Sequence, residues 1–528
     1  MSFIEPAIFI LLCAILSVPL ANRFHLPLEV FLLIGSGILS LNPWLPPLHL
    51  NPKIVFNLFL PPILFYAAYF TSWHDFKFNF RPISLLAFGL VIFTTIVVAV
   101  IAKFLLPAFT WTESFLLGAI LSPTDATSAT SIIKKLGAPR RLISILEGES
   151  MVNDATALIL FRVALAAMFG DSFSFSYVTM HFVFMSFGGI TVGLIIGKIS
   201  IYLIPKIKVV EAETTFTFLS AFITFLLSEY LGVSAIIATV VCGIYCGIRF
   251  PEIASHLTRI NAKASWNTLL FIINGFVFTL MGLELPIILN NLKTGSISHF
   301  ILYGLVISVV VILARLLWIY PMAYLPRLFF PSIEQKDPMP SWKVLFLVGW
   351  SGMRGIVSLA AALSIPFFLT TGAIFPHRDL IQFITYCVIV ITLLVPALSL
   401  PFILSLLRFP EENAMKQEAF ARIRLLENSI KHIELLMEKE KIPSEIFKDF
   451  IKHLHQKLAV IKTQLNQTPY STLNNEYLAL RKLIFTAIQS ERTTLLKLRK
   501  SGEIHDEVFH RLSYELDIEE TRANTLRI

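Results

Sequence analysis

Long apolar runs recur along the first four hundred residues, separated by short polar stretches. Each holds about 20 mostly apolar residues, the length that a helix needs to cross a bilayer. We find thirteen such runs, at residues 3–21, 26–45, 54–72, 82–107, 112–133, 142–169, 175–205, 213–230, 233–249, 266–289, 298–325, 342–368 and 380–407. Little more than Leu231-Gly232 separates the eighth run from the ninth, so twelve is the competing count. The pattern predicts an all-α polytopic membrane protein with about thirteen transmembrane helices.

The pattern of polar positions changes after residue 410. From Glu411 to Ile528 the chain carries 19 Lys or Arg and 18 Asp or Glu, against 24 and 17 in the much longer first part. Apolar positions in this tail recur at helical spacing, as at Ile423, Leu426, Ile430, Ile433 and Leu436. We therefore predict a transmembrane domain, residues 1–410, and a helical cytoplasmic domain, residues 411–528. The tail helices are either regulatory or dimer-supporting, or simply solvated.

The composition agrees with a membrane protein. Apolar residues make up 55% of the chain and charged residues 15%, whereas soluble proteins carry about 25% charged residues. This excludes a disordered chain, a disulfide-rich secreted module and an ordinary cytosolic enzyme. The four cysteines lie in apolar runs and are interpreted as small buried side chains. No nucleotide-binding or catalytic motif is found, so neither a cofactor nor an enzymatic activity is predicted.

The positive charges indicate an orientation. If the tail is cytoplasmic, the loops on its side carry 15 Lys or Arg and the opposite loops three. Cytoplasmic loops of membrane proteins are enriched in these residues. We therefore expect the amino terminus outside and the carboxyl terminus in the cytoplasm of a cell that carries the protein in its plasma membrane. Because the basic excess lies in loops beside the bilayer, no nucleic-acid partner is expected.

Three charged residues converge on the middle of the predicted membrane. At 1.5 Å per residue, Asp125, Asp154 and Arg354 lie about 18 to 20 Å along their spans. An ionisable group at that depth costs at least ~2.5 to 3.5 kcal/mol unless it is paired or lines a water-filled cavity. Arg162 and Arg315, also within spans, are interpreted as structural counter-ions. The convergence of the three central charges indicates a functional site.

Two of the spans that carry these charges contain helix breakers. The fifth run includes Ser122-Pro123-Thr124-Asp125, and the twelfth has three glycines between Gly349 and Gly355. Interrupted spans in corresponding places of two halves mark transporter binding sites, and these two run in opposite directions, as inverted repeats require. We expect two crossed discontinuous helices, with Asp125 and Arg354 neutralising half-helix ends of opposite sign.

The sixth run places several polar residues at helical spacing. Glu147, Ser150 and Asp154 share one face, and Glu149 and Asn153 share a neighbouring one. Asp154 can thus present its carboxylate with Ser150 beside it. Asn153 does not titrate, so it would hold a broken helix end or coordinate through its amide. Glu149 is expected to pair with a buried arginine, for which Arg354 is the best candidate.

Four stretches together resemble the sodium/proton exchangers of the monovalent cation:proton antiporter-1 family: Ser122–Asp125, Gly148–Asp154, Asn274-Gly275 with Leu280–Leu283, and Gly352–Gly355. The resemblance implies that Asp154 binds the ion or the proton, with Thr124 and Ser150 as further ligands of the transported Na⁺. It implies that Asn153 and a Glu149–Arg354 pair hold the core. It also implies a homodimer of thirteen-span protomers, in which one bundle moves against a dimerising bundle.

The stretch Leu60-Pro61-Pro62-Ile63-Leu64-Phe65-Tyr66 resembles the family's Leu-Pro-Pro stretch but departs from it at its last residue. Where many members carry a glutamate near the ion site, this chain has Tyr66. The choice between Na⁺, Li⁺ and K⁺ therefore stays open from the sequence.

We predict a secondary transporter in the lipid bilayer that exchanges a monovalent cation, Na⁺ first, for H⁺ by alternating access. One proton for one cation makes the exchange electroneutral. A K⁺/H⁺ antiporter is the nearest alternative. An intramembrane aspartic protease, suggested by the pair Asp125 and Asp154, and a simple cation channel are the rivals from other classes.

Overall fold

The chain is helical almost throughout the part that the structure describes. This computed structural model describes residues 4–24, 27–40, 55–135, 139–169, 175–292, 297–330, 334–335, 337–369, 372–407, 414–439, 444–466, 471–501 and 506–525. Within these ranges two isolated β-bridges occur and no β-strand. The prediction of an all-α protein is confirmed.

The chain divides into two compact units, Met1–Pro410 and Glu411–Ile528. The predicted domain boundary, between residues 410 and 411, itself lies outside the described residues. The described ranges of the first unit contain the π-helix Val55–Phe59, which leads directly into α3, and the helices α1 (Ile4–Phe24), α2 (Leu28–Ser40), α3 (Leu60–Tyr69), α4 (Trp73–Phe78), α5 (Phe80–Leu105), α6 (Trp111–Leu121), α7 (Thr127–Lys135), α8 (Arg140–Met168), α9 (Phe175–Ile207), α10 (Val210–Tyr230), α11 (Ala235–Ile253), α12 (His256–Leu283), α13 (Leu285–Asn291), α14 (Ile297–Phe329), α15 (Trp342–Trp350), α16 (Ile356–Leu363) and α17 (Arg378–Leu407).

Eight of the helices in the described ranges are long and apolar enough to cross a bilayer. The other predicted runs contain shorter or interrupted helices, such as α3, the pair α6 and α7, and the pair α15 and α16. A polytopic membrane protein is confirmed, whereas the count of thirteen spans stays a prediction. The difference arises because a half-helix of about ten residues is only about 15 Å long.

The helices of the first unit pack in two groups. In one group, α5, α6, α7, α8, α14, α15, α16 and α17 contact one another. In the other, α12 lies along α1 and α2, and α11 lies along α3 and α9. Contacts between the groups include those of α8 with α3 and α11. The helix that carries Asp154 therefore lies where the two groups meet.

Local sequence explains where α6 ends. Its first turn is closed by a capping box, in which Glu113 N donates to Thr110 Oγ1 over 3.2 Å and Thr110 N donates to Glu113 Oε2 over 2.5 Å. Its last residue is Leu121, followed two positions later by Pro123. Proline has no N–H to donate and its ring clashes with the carbonyl four residues earlier. The chain therefore runs on extended until α7 begins at Thr127.

The second unit, taken by itself, consists of helical hairpins in its described residues. Its helices are α18 (Ala414–Lys439), α19 (Ser444–Asn466), α20 (Ser471–Lys500) and α21 (Asp506–Thr525), with α18 packed on α19 and α20 on α21. Ile430 is buried, and Ile423, Leu426 and Ile433 are half-buried on the same face of α18, while the side chain of Leu436 lies outside the description. The helical spacing read from the sequence thus marks the packed face of this hairpin.

Candidate functional site

Two discontinuous helices cross at their breaks. The extended segment between α6 and α7 meets the segment between α15 and α16 in an antiparallel bridge, in which Asp125 N donates to Met353 O over 2.8 Å. Both segments are deeply buried. Four half-helix ends therefore meet around one point, two of them amino ends and two carboxyl ends.

Each carboxyl end at the crossing receives a hydrogen bond from a buried arginine. Arg354 Nε donates to Leu121 O, at the end of α6, over 3.0 Å. Arg315 Nε, from α14, donates to Val348 O, near the end of α15, over 3.1 Å. The last carbonyls of a helix have no partner within it and carry partial negative charge. The two guanidinium groups satisfy these carbonyls and offset that charge.

Asp125 lies at an amino end. Its carboxylate packs directly against Gly355, the residue before α16, so closely that a Cβ added there would overlap it. Negative charge is stabilised at the amino end of a helix. A Cβ on Gly352 would likewise overlap the Arg315 side chain. Both glycines thus allow a charged side chain to lie directly against the backbone.

The predicted pair between Glu149 and Arg354 is wrong. Glu149 binds Arg315 through both carboxylate oxygens, Oε1 to Nη1 and Oε2 to Nη2, the latter over 2.7 Å. Arg354 instead turns to Leu121 O and Gly352 O. Both arginines lie at the level of the crossing, and the orientation of α14, which the sequence does not reveal, decides which of them reaches Glu149.

Thr124 lies at the centre of a closed hydrogen-bond network. Its hydroxyl donates to Glu149 Oε1 over 2.8 Å and accepts from Asn153 Nδ2 over 2.8 Å and from Arg315 Nη1 over 3.3 Å. A hydroxyl has one proton and two lone pairs, so this one is fully used. Asn153 Nδ2 also donates to Thr124 O over 3.0 Å. Among the described residues, Asn153 Oδ1 is buried without a hydrogen-bond partner. A carbonyl oxygen such as Thr124 O has a second lone pair beside the one that accepts from Asn153.

Asp154 faces a small cavity beside this network. Its side chain is buried, with 8% of the residue exposed. The cavity measures about 50 Å³ and is lined by Asp154, Asp125, Thr124, Ser150 and Ser358 among apolar side chains. Ser150 Oγ also accepts from Ala126 N over 3.3 Å. A space of this size holds a few water-sized particles. Four of the predicted site residues, Asp154, Asp125, Thr124 and Ser150, therefore line one compartment.

Two other predicted positions lie away from the cavity. Glu147 pairs with Lys134 at the surface over 2.5 Å. The Tyr66 hydroxyl donates to Asn267 Oδ1 over 2.8 Å, and its ring lies tilted against Trp266 with 6.1 Å between the ring centroids. Tyr66 is not among the residues that line the cavity. Leu60, Ile63 and Leu64 of the same helix line it. Tyr66 thus contributes to helix packing.

A larger cavity adjoins the small one across Leu60. It measures about 360 Å³ and lies between α8 and the helices α10 and α11. Arg162, two turns beyond Asp154 on α8, lines it together with Glu229 and Ser364. Arg162 is one of the two arginines that the sequence suggests as counter-ions, whereas no sequence feature points to Glu229. Its position just before the loop Leu231-Gly232 gave no signal of a cavity.

Substituting Gly355 by Ala is expected to destabilise the crossing. The added Cβ would meet the Asp125 carboxylate, and overpacking of this kind costs about 1 to 3 kcal/mol. Thermal unfolding in detergent measures the effect, and Gly35→Ala is the control because nothing lies within 4 Å of its added Cβ. Equal unfolding midpoints for the two variants would show that the close approach of Asp125 has no energetic weight.

A many-spanning helical protein with two crossed broken helices around a buried carboxylate belongs to the class of ion-coupled secondary transporters. Comparison with known proteins agrees. The transmembrane sodium/hydrogen exchanger family matches residues 7–406. The fold resembles that of the sodium proton antiporter MjNhaP1 from Methanocaldococcus jannaschii, with a TM-score of 0.61 at 19% identity over 77% of this chain and 99% of that one.

Curated relatives cover nearly the whole chain. A sodium, potassium, lithium and rubidium/H⁺ antiporter of Bacillus subtilis is 30% identical over 99% of this chain and 78% of its own length. An uncharacterised Na⁺/H⁺ exchanger of Mycobacterium bovis is 29% identical over 95% and 93%. The chain belongs to the sodium/hydrogen exchanger family. It is a cation/proton antiporter and not an enzyme, which rejects the protease alternative.

Proposed function

We propose that the protein exchanges Na⁺ for H⁺ with Asp154 as the single carrier of either ion. The observation that supports this most directly is the contrast between two neighbouring acids on α8. Glu149 is neutralised by Arg315, whereas no salt bridge to Asp154 is found among the described residues, and its carboxylate faces the cavity. Of these two acids, Asp154 is therefore the one that remains available to bind the transported cation or the proton.

The proposed cation site combines Asp154 with oxygens that the network leaves free. Ser150 Oγ supplies one lone pair, and Thr124 supplies its backbone carbonyl because its hydroxyl is already used. Asn153 Oδ1 is buried and has no hydrogen-bond partner among the described residues, although Asn153 is not one of the residues that line the cavity. Asp125, held at the amino end of α16, adds negative charge to the cavity wall. Glu149, Arg315 and Arg354 would keep the crossing rigid.

Exchange follows from competition for the Asp154 oxygens. A cation and a proton on the same carboxylate repel each other, so either excludes the other. The empty, ionised carboxylate cannot cross the membrane interior, because burying an unpaired charge is too costly. Each half-cycle thus carries one positive charge on one negative group. The whole exchange moves no net charge.

Na⁺ is the proposed principal cation, with K⁺ as the alternative. The relatives' names cover both possibilities. The Bacillus subtilis protein is named for sodium, potassium, lithium and rubidium. A relative in Aphanothece halophytica, 27% identical over 90% of this chain and 88% of its own length, is named an Na⁺/H⁺ antiporter.

Further parts of the proposal are a homodimer, a plasma-membrane location and a cytoplasmic tail from residue 411. The excess of basic residues in the loops on the tail's side supports that orientation.

Cation-driven proton movement in proteoliposomes tests this function. We expect Na⁺, Li⁺ or K⁺, each added alone, to dissipate a pH gradient with saturable kinetics, with Na⁺ showing the lowest KM. A voltage clamped by K⁺ and valinomycin is expected to leave the Na⁺-driven rate unchanged. A rate that responds to voltage would contradict electroneutrality, and cation flux without proton movement would indicate a channel.

A further inference from the structure

Ser358 carries a buried hydroxyl beside the proposed ion site, and none of the described residues forms a hydrogen bond with it. The residue is 1% exposed, and its Oγ has no hydrogen-bond partner in the described structure. Leaving a buried polar group unpaired costs about 1 to 3 kcal/mol, so such a group in a folded protein calls for an explanation. Ser358 cannot be recognised from the sequence, because a single serine in an apolar run is not a functional motif.

Several other buried serines among the described residues donate to a carbonyl of their own helix. Ser308 Oγ donates to Gly304 O over 2.6 Å, and Ser351 Oγ donates to Leu347 O over 2.6 Å. Each satisfies its proton on the carbonyl four residues earlier in its own helix. Ser186 Oγ, Thr94 Oγ1 and Thr279 Oγ1 are also buried without a described partner, but these residues do not line the cavity of Asp154. Ser358 lies in the first turn of α16, and the residue four positions before it, Arg354, belongs to the extended crossing. The hydrogen bond from the serine hydroxyl to a carbonyl four residues earlier in the same helix is therefore not formed.

The position of Ser358 points to a ligand. Ser358 lines the same cavity as Asp154, Asp125 and Ser150. It lies three residues after Gly355, so both face the same side of the half-helix, and Gly355 is the residue that contacts the Asp125 carboxylate. The residue that carries the unpaired hydroxyl therefore belongs to the wall of the compartment in which the cation is proposed to bind.

We propose that Ser358 Oγ is a ligand of the transported cation and not of the proton. This inference rests on the proposed function of Asp154. A bound Na⁺ is surrounded by several oxygens, and a hydroxyl offers lone pairs to it. A proton on Asp154 makes one covalent O–H bond and needs no such shell. Ser358 thus favours the cation in its competition with the proton, and it connects α8 to the second broken helix only when the cation is bound.

Ser358→Ala is expected to weaken the binding of the cation without changing the binding of the proton. The KM for Na⁺ should rise about threefold to tenfold, the effect of losing one polar contact. The apparent proton affinity, taken from the pH dependence of the rate extrapolated to zero Na⁺, should stay at the wild-type value. The loss should be greater for Li⁺ and Na⁺ than for K⁺, because a smaller cation attracts each oxygen more strongly. A merely structural serine would not separate these readouts.

Two further variants complete the experiment. Ser358→Cys replaces the oxygen by a sulfur of similar shape and should raise the Na⁺ KM as Ser358→Ala does, even if the alanine variant folds poorly. Ser308→Ala removes a buried hydroxyl that is satisfied by its own helix and should leave KM unchanged. A Na⁺ KM equal to wild type in both Ser358 variants, or a parallel loss of proton affinity, would overturn the inference.

Cation binding measured apart from transport distinguishes this inference from the function on which it rests. The Na⁺ concentration that half-maximally raises the unfolding temperature in detergent should increase in both Ser358 variants. If the wild type shows neither exchange nor stabilisation by Na⁺, Li⁺ or K⁺, the proposed function fails and the role of Ser358 fails with it. If the wild type shows both and Ser358→Ala matches it in both, only the role of Ser358 fails.

Discussion

Asp154→Asn is expected to abolish cation-coupled proton exchange while the protein stays folded. Asparagine keeps the shape of the side chain but neither carries a negative charge nor takes up a proton. The cation and the proton therefore both lose the group that binds them. The effect should be a loss of exchange to the background of protein-free liposomes, measured by a pH-sensitive dye with Na⁺, Li⁺ and K⁺ in turn.

Folding should survive this substitution because Asp154 has no salt-bridge partner among the described residues that would be left unpaired. The carboxylate is buried at 8% exposure, and removing an ionised group from such a place relieves a desolvation penalty. We expect an unfolding temperature at or above that of the wild type. We also expect Na⁺ to have no further stabilising effect, since a ligand stabilises only a protein that binds it.

Glu147→Gln is the matched control for this experiment. Glu147 lies seven residues before Asp154 on the same helix, but its side chain is 34% exposed and pairs with Lys134. Surface ion pairs contribute about 0 to 1 kcal/mol, so this variant should exchange normally. Residual exchange in Asp154→Asn, or equal losses in both variants, would contradict the assignment of Asp154.

The crossing of two broken helices is visible in the sequence because backbone chemistry specifies it locally. Pro123 ends a helix by itself, and the glycines at 349, 352 and 355 weaken the helix that contains them. Depth along each span then places Asp125, Asp154 and Arg354 at one level. Local rules of this kind need no knowledge of the neighbouring helices.

The partners of the buried charges cannot be read in the same way. Which arginine reaches Glu149 depends on how α14 is rotated against α8, and several residues at one depth satisfy the sequence equally well. The unpaired state of Ser358 is likewise a property of the packed protein, since it depends on every group around it. The position of Tyr66, outside the cavity wall, follows from the rotation of α3.

Arg315→Met is expected to destabilise the protein by about 3 to 5 kcal/mol, the cost of breaking a buried ion pair from one side. It would leave the Glu149 carboxylate without a counter-charge at 2% side-chain exposure and remove the hydrogen bond to Val348 O. Arg354→Met should cost about 1 to 3 kcal/mol, because it removes hydrogen bonds to backbone carbonyls and leaves Glu149 paired. Thermal unfolding in detergent, with the monodisperse fraction from size-exclusion chromatography, measures both.

Double variants decide which arginine is coupled to Glu149. Because replacing both members of a buried pair by apolar residues is often neutral, Glu149→Leu combined with Arg315→Met should recover most of the stability that Arg315→Met loses. Glu149→Leu combined with Arg354→Met should show no such recovery, since that double variant leaves the Arg315 guanidinium without its carboxylate. The coupling energy of each cycle isolates the pairwise interaction. Coupling to Arg354 and none to Arg315 would restore the pairing that the sequence suggested and refute the bidentate contact.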